Sequence, residues 1–241
     1  MTISRIYFWV RWKDKDQSLN RLYRFSGGQW KKVKGNEDRF AMLFDMTGNL
    51  PDFRRNGCSA SCHNGEYMAT KSPDQRADVW HWKAQRTNPM GYADDQLLTD
   101  IVKENHETTG RVSDKKSAGS YSNNFDKKLG RPMLTARSGV AGPVLAKKDA
   151  VQFTGGAKEG MVLPREVLAR PQGSRGDIDA GGVWKKGQWT LELRRKLHTG
   201  HPDDVQFNPG KRYFFGIAVF NNGDGMEHSM LLGEALRLVF K

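Results

Sequence analysis

The sequence predicts a mainly β, antiparallel domain with few short helices. Apolar and aromatic residues alternate with a period of two in several short runs, turn-forming Gly and Asn separate those runs, and helical periodicity is scarce. The 241 residues fit one large domain or two small ones, and no stretch reads as a linker between domains, so a single domain over 1–241 is expected.

Taken in order, Ile6, Phe8, Val10 and Trp12 alternate with Tyr7, Trp9 and Arg11, which predicts a first strand. Residues 39–44 and 78–84 read as a second and a third. Trp80 and Trp82 share one face of the third strand, because side chains repeat every two residues, and both are expected in the core. Residues 93–102 carry the best helical spacing, with Leu97, Leu98, Ile101 and Val102 following Asp94 and Asp95 at the end favoured by the helix dipole. Residues 103–150 are polar and weakly periodic, an irregular excursion that is either solvated or partner-facing. A short helical turn is expected within 157–168, broken by Pro164. Residues 184–189 read as a hairpin turning at Gly187. Residues 189–193, 213–220 and 235–240 complete the strands.

Lys and Arg number 39 against 27 Asp and Glu, a formal charge of +12. Such a balance favours acidic partners: nucleic acid, an anionic membrane surface or an acidic redox protein. The basic residues are scattered, without a zinc-finger, RRM or KH pattern, so nucleic acid is set aside. No run approaches the ~20 apolar residues of a membrane-spanning helix. The residues after Met1 also lack the apolar run of a signal peptide, so the chain is expected either to be cytoplasmic or to be a mature domain whose leader is absent.

The chain has two cysteines, Cys58 and Cys62, and His63 follows the second. The spacing is C-x-x-x-C-H, one residue longer than the C-x-x-C-H signature of covalent haem c attachment. Two thiols add to the two haem vinyl groups and the adjacent imidazole ligates iron. Ser59, Ala60 and Ser61 are small enough to absorb the wider loop. On the motif alone, rival readings remain open. A Cys58–Cys62 disulfide would close a tiny loop and stabilise little. A zinc site needs four ligands, and a redox dithiol normally has C-x-x-C spacing.

Four further stretches resemble the haem-binding domain family of ethylbenzene dehydrogenase. Glu37, Asp38 and Arg39 are similar to its early E-D-R segment. Trp80, Trp82, Lys83 and Ala84 match its W-x-W-K-A strand. Gly187, Trp189, Arg195 and Leu197 resemble its G-x-W-x-V-x-x-x-R-x-L strand, and residues 215–221 its F-A-V-W-D segment. The resemblance implies a β-sandwich with haem held between loops near one end. Family subunits of molybdoenzymes carry haem b with Met and Lys as axial ligands. Here the Cys pair and His63 stand where those subunits carry Met, and His228 falls where the family carries Lys. The resemblance therefore implies bis-His coordination by His63 and His228, with Met226 and Met230 as alternative distal ligands. Met68 is expected to pack, His81 to be structural or a hydrogen-bond donor at the haem edge, and His106, His198 and His201 to be exposed.

The expected function is that of a monohaem c-type cytochrome carrying single electrons, not an enzyme, because two filled axial positions leave no site for substrate. Covalent haem attachment points to a periplasmic or extracytoplasmic setting. An acidic redox protein, a molybdoenzyme or a membrane-associated respiratory complex would be its partner. The alternatives are a haem-carrying subunit of a molybdoenzyme, a haem-less sandwich that binds a ligand at its loops, and a haem enzyme or sensor.

Overall fold

The computed structural model describes residues 4–60, 68–100, 110–139, 142–223, 227–231 and 233–240. With 48% of the chain in strands and 7% helical, the fold is mainly β. One antiparallel sheet runs in the order Arg5–Lys13, Gln188–Lys196, Ile178–Trp184, Tyr92–Leu98, Ala77–Lys83, Arg39–Asp45 and Arg212–Phe220. Ser229–Met230 and Leu236–Val239 both pair with the far edge of the last of these. Ile178–Trp184 meets Tyr92–Leu98 through only two residue pairs, Ile178 with Ala93 and Asp179 with Tyr92. The sheet curls at that corner, so its first three strands lie over the remainder.

The two layers meet through aromatic rings. Trp12 stacks on Phe40 with centroids 5.6 Å apart, Phe8 meets the edge of Trp80 at 5.6 Å, and Trp82 meets Trp189 at 4.9 Å. Trp80, Trp82 and Trp189 are all fully buried, as the alternation predicts. Gly182 makes the closest approach possible: a Cβ there would lie 2.4 Å from Trp82 Cζ2. Gly182→Ala is therefore expected to destabilise the fold by about 1–3 kcal/mol through overpacking. A guanidinium melt checks this, and an unchanged midpoint would refute the close packing. The predicted hairpin is present. Trp184 opposes Trp189, and the intervening Lys186 and Gly187 have φ of 51° and 77°, the left-handed pair a two-residue type I′ turn requires.

Three expectations need correction. Residues 92–98 form the strand Tyr92–Leu98, not a helix from 93. Asp94 and Asp95 look like an acidic first helical turn, but both are buried against cations from other elements, Lys83 and Arg195 on strands and Arg175 in the 3-10 turn Ser174–Gly176. Residues 157–168 contain no helix: Val162–Pro164 pairs with Leu22–Ser26, and Glu166–Gln172 pairs with Ala118–Asn123. The excursion also holds more order than its composition predicts. Arg111–Ser113 joins Tyr92–Leu98, and Leu134–Ala136 pairs with Ala150–Gln152. Residues 101–109, 140 and 141 of that stretch lie outside the described residues.

Candidate functional site

The face of the sheet opposite Trp80 and Trp82 carries a hollow. Register makes it. Val79, Leu43 and Gly216 form one cross-strand row, His81, Ala41 and Ala218 the next, and Lys83, Arg39 and Phe220 the third. Ala41, Gly216 and Ala218 are small, so the middle of this surface is low, while Leu43, Val79, His81 and Phe220 stand around it. The resulting cavity is small, about 50 Å³, and open at its mouth, and Cys58, Met68, Arg111 and His228 also line it.

Cys58 reaches the hollow on a short helical segment. The single turn Phe53–Asn56 passes into a 3-10 turn, Gly57–Ala60, at Gly57 with φ 63°. Phe53 anchors the turn in a small apolar cluster with Leu43, Leu50, Val79 and Leu98, and Cys58 is buried in the same cluster. A Cβ on Gly216 would lie 3.0 Å from Cys58 Cβ and 3.2 Å from its Sγ, so the glycine lets this turn lie directly against the strand.

His228 arrives from the other end of the chain. It precedes Ser229–Met230, which pairs with Val219 and Ala218, and so it falls beside Phe220. Its ring lies 5.1 Å from that of Phe220, and Phe220 stacks on His81 at 5.7 Å. The Arg39 guanidinium sits 4.3 Å from the Phe220 centroid. Further upstream, Asn222 and Gly223 are held by the E-D-R segment. Asn222 N–H donates to Asp38 Oδ1 (3.3 Å), and Arg39 Nη2 donates to the Gly223 carbonyl (3.3 Å). Asp38 is itself held by Ser18 N–H (2.7 Å) and Trp189 Nε1–H (3.1 Å). Glu37 accepts from the Gln85 and Arg86 amides and pairs with the Arg86 side chain.

His81 is the residue whose environment says most. Arg111 Nη1 lies 3.1 Å from its Nδ1. A guanidinium only donates, whereas Gln96 Oε1, 3.3 Å from the same Nδ1, only accepts, so the two contacts call for opposite tautomers. Nε2 is buried and has no hydrogen-bond partner among the described residues. Burial, then the charges of Lys83, Arg111, Arg39 and Arg86, push the imidazole pKa well below its usual value, so the ring stays neutral. The cavity thus has a neutral imidazole with an unsatisfied ring nitrogen in an apolar wall. Next to it, burial alone would raise Asp94, but Lys83 and Arg175 outweigh it and hold the carboxyl at about 2.

Of the residues singled out in the sequence, Cys58 and His228 meet at this one cavity. Cys62, His63 and Met226 lie outside the described residues, as does His106. Met230 packs in the apolar cluster around Cys58. Met68 lines the cavity, His198 is exposed, and His201, expected to be exposed, is half-buried. Ala41, Gly216, Ala218 and Phe220 were not singled out. Their signal is small residues at alternate positions opposite an aromatic face.

A family model described as ethylbenzene dehydrogenase matches residues 1–231. The chain belongs to the ethylbenzene dehydrogenase family. No curated protein matches it. In this family member the E-D-R segment holds residues 222 and 223, while the W-x-W-K-A strand supplies core on one face and His81, which lines the cavity, on the other. Among the described residues, no helix is long and apolar enough to cross a membrane.

Proposed function

We propose that this member of the ethylbenzene dehydrogenase family is a monohaem c-type electron carrier, organised as a single domain and working outside the cytoplasmic membrane. The observation that carries the reading is the convergence of Cys58 and His228 on one apolar hollow that is also lined by His81, whose buried Nε2 is unsatisfied among the described residues. This set of residues fits haem: a thiol beside an apolar wall, an imidazole at the rim, and a buried ring nitrogen suited to a polar haem substituent. Cys58 and Cys62 would carry the thioethers, His63 would be the proximal ligand and His228 the distal one, with Met226 or Met230 as its alternatives.

When bound, haem supplies reversible one-electron exchange at iron. The chain does the rest. Leu43, Val79 and Phe220 keep water from the hollow. Asp38 and Arg39 tether residues 222 and 223, upstream of His228. His81 stays neutral. With His63 and His228 both holding the iron, no place would remain for substrate, so the domain would pass electrons rather than transform substrate.

The family favours one partner in particular, the molybdenum-containing catalytic subunit of a larger enzyme, with this chain as its electron-carrying subunit. A separate acidic redox protein, steered by the net charge of +12, is the alternative, and its reaction rate would fall with salt. Copurification with a catalytic subunit distinguishes the two.

A pyridine haemochrome spectrum taken under denaturing conditions, with the intact mass of the unfolded chain, tests the cofactor. A c-type spectrum and a mass increase of one haem are expected. An unmodified mass from matured protein would overturn covalent attachment.

A further inference from the structure

Away from the cavity, the described residues bury an unusual excess of negative charge. Asp78, Asp95, Asp114 and Asp204 are all buried, and Arg195 is the guanidinium among them. Its two terminal nitrogens are taken by Asp95 Oδ2 and Asp78 Oδ2, each at 2.8 Å, and Asp204 Oδ1 is left 3.7 Å away. Asp204 is 3% exposed, and beyond the Arg195 pair neither of its carboxylate oxygens meets a donor within hydrogen-bond distance among the described residues. Asp114 is 5% exposed, and although its Oδ2 accepts from the Ser174 hydroxyl at 3.1 Å, its Oδ1 has no donor. A buried carboxylate without a donor or cation is costly.

We infer that Asp114, Asp203 and Asp204 form a calcium-binding site that joins the segment after Arg111–Ser113 to the loop before Arg212–Phe220. One carboxylate oxygen from each lies within 4.8 Å of the others, close enough to share an ion. The donors are all oxygen, with no His or Cys among them, which selects a hard cation over zinc or copper. Calcium accepts six to eight oxygens in irregular geometry and takes bidentate carboxylates, whereas magnesium demands a near-ideal octahedron. Two carboxylates from adjacent residues of one loop suit the first and not the second.

The loop is already arranged for this. Gln206 holds it by accepting from Thr199 N–H (3.0 Å) and donating to the His201 carbonyl (2.9 Å), and Asp78 Oδ2 accepts from Val205 N–H (2.9 Å). Asp114 is placed by its own N–H donating to the Asp95 carbonyl (3.1 Å). Asp203 is half-buried, which leaves the cluster a face toward solvent. Carboxylate oxygens packed this closely repel one another, and a divalent ion between them would remove that conflict. The three residues are not among those that line the haem-site cavity, so the site does not depend on the cofactor assignment.

The test uses the full matured chain, stripped with EGTA and titrated with calcium chloride alone, with magnesium chloride as comparator. One calcium per chain is expected by calorimetry, with a melting temperature raised by roughly 5–10 °C at a hundredfold excess over Kd. Magnesium should give less than a tenth of that affinity. Asp203→Asn, a half-buried change that leaves folding intact, should weaken calcium binding at least tenfold. Absence of heat and of any melting shift at millimolar calcium would overturn the site, as would unchanged calcium binding in Asp203→Asn or equal affinity for magnesium. Should Asp114→Asn raise the melting temperature of the stripped protein while calcium adds nothing to wild type, the carboxyls are protonated and the inference fails.

Discussion

Arg195→Met is expected to lower the melting temperature by roughly 10 °C or more. The guanidinium is fully buried, bonded to Asp78, Asp95 and the Val205 carbonyl, and lies 4.6 Å from the Trp80 centroid. Methionine replaces much of its volume over that ring but leaves two buried carboxylates facing each other without a cation. Breaking a buried charge cluster from one side costs about 3–5 kcal/mol, and in a chain of this size each kcal/mol moves the midpoint by about 2–4 °C. Lysine should rescue little, since a single ammonium does not span two carboxylates as a planar fork does.

The loss should depend on pH. Burial, then the charge of Asp78, already pushes Asp95 well above the usual carboxylate range in the wild type, and removing Arg195 pushes it further. A carboxyl raised on folding binds its proton more tightly in the folded chain. Its contribution is therefore complete below the unfolded value of 3.8 and is lost as pH rises through the folded value. The variant should lie nearest wild type at pH 4 and fall furthest behind at pH 8. Thermal melts of both proteins in EGTA across that range decide it. A difference under 2 °C, or one that does not change with pH, would contradict the structural role of this arginine.

Replacing both Cys58 and Cys62 by serine is expected to abolish covalent haem entirely. Serine is nearly isosteric and cannot form the thioether, so the buried turn at Gly57–Ala60 should keep its place against Gly216 while the mass increase disappears. His228→Ala should do the opposite. It keeps the haem mass, because the imidazole lies at the rim and takes no part in attachment, but it opens the distal position. The reduced variant should then bind carbon monoxide where the wild type does not. Carbon monoxide binding by the wild type would favour a haem enzyme or sensor, and none by the variant would move the distal ligand to Met226 or Met230.

Much of this was legible in the sequence. Period-two runs around Phe8, Trp80 and Trp189 established the β class and the core-facing residues, because alternation alone decides which side of a strand is buried. The Lys186–Gly187 turn was legible because few residue pairs tolerate two left-handed positions. The spacing of Cys58, Cys62 and His63 marked a candidate attachment site without any fold.

What the sequence did not show depended on distant partners. Asp94 and Asp95 resembled a helical first turn, and only Lys83, Arg175 and Arg195, brought in by other elements of the fold, make them strand residues in a buried network. The hollow is equally invisible locally. Ala41, Gly216 and Ala218 are unremarkable small residues until antiparallel register sets them side by side, and Cys58 and His228 share a site only because their flanking segments both rest on the strand Arg212–Phe220. Local pattern therefore determined which faces are apolar and which residues carry chemistry. The tertiary structure decided which of them meet, because register and long-range ion pairing are set by contacts that no window of sequence contains.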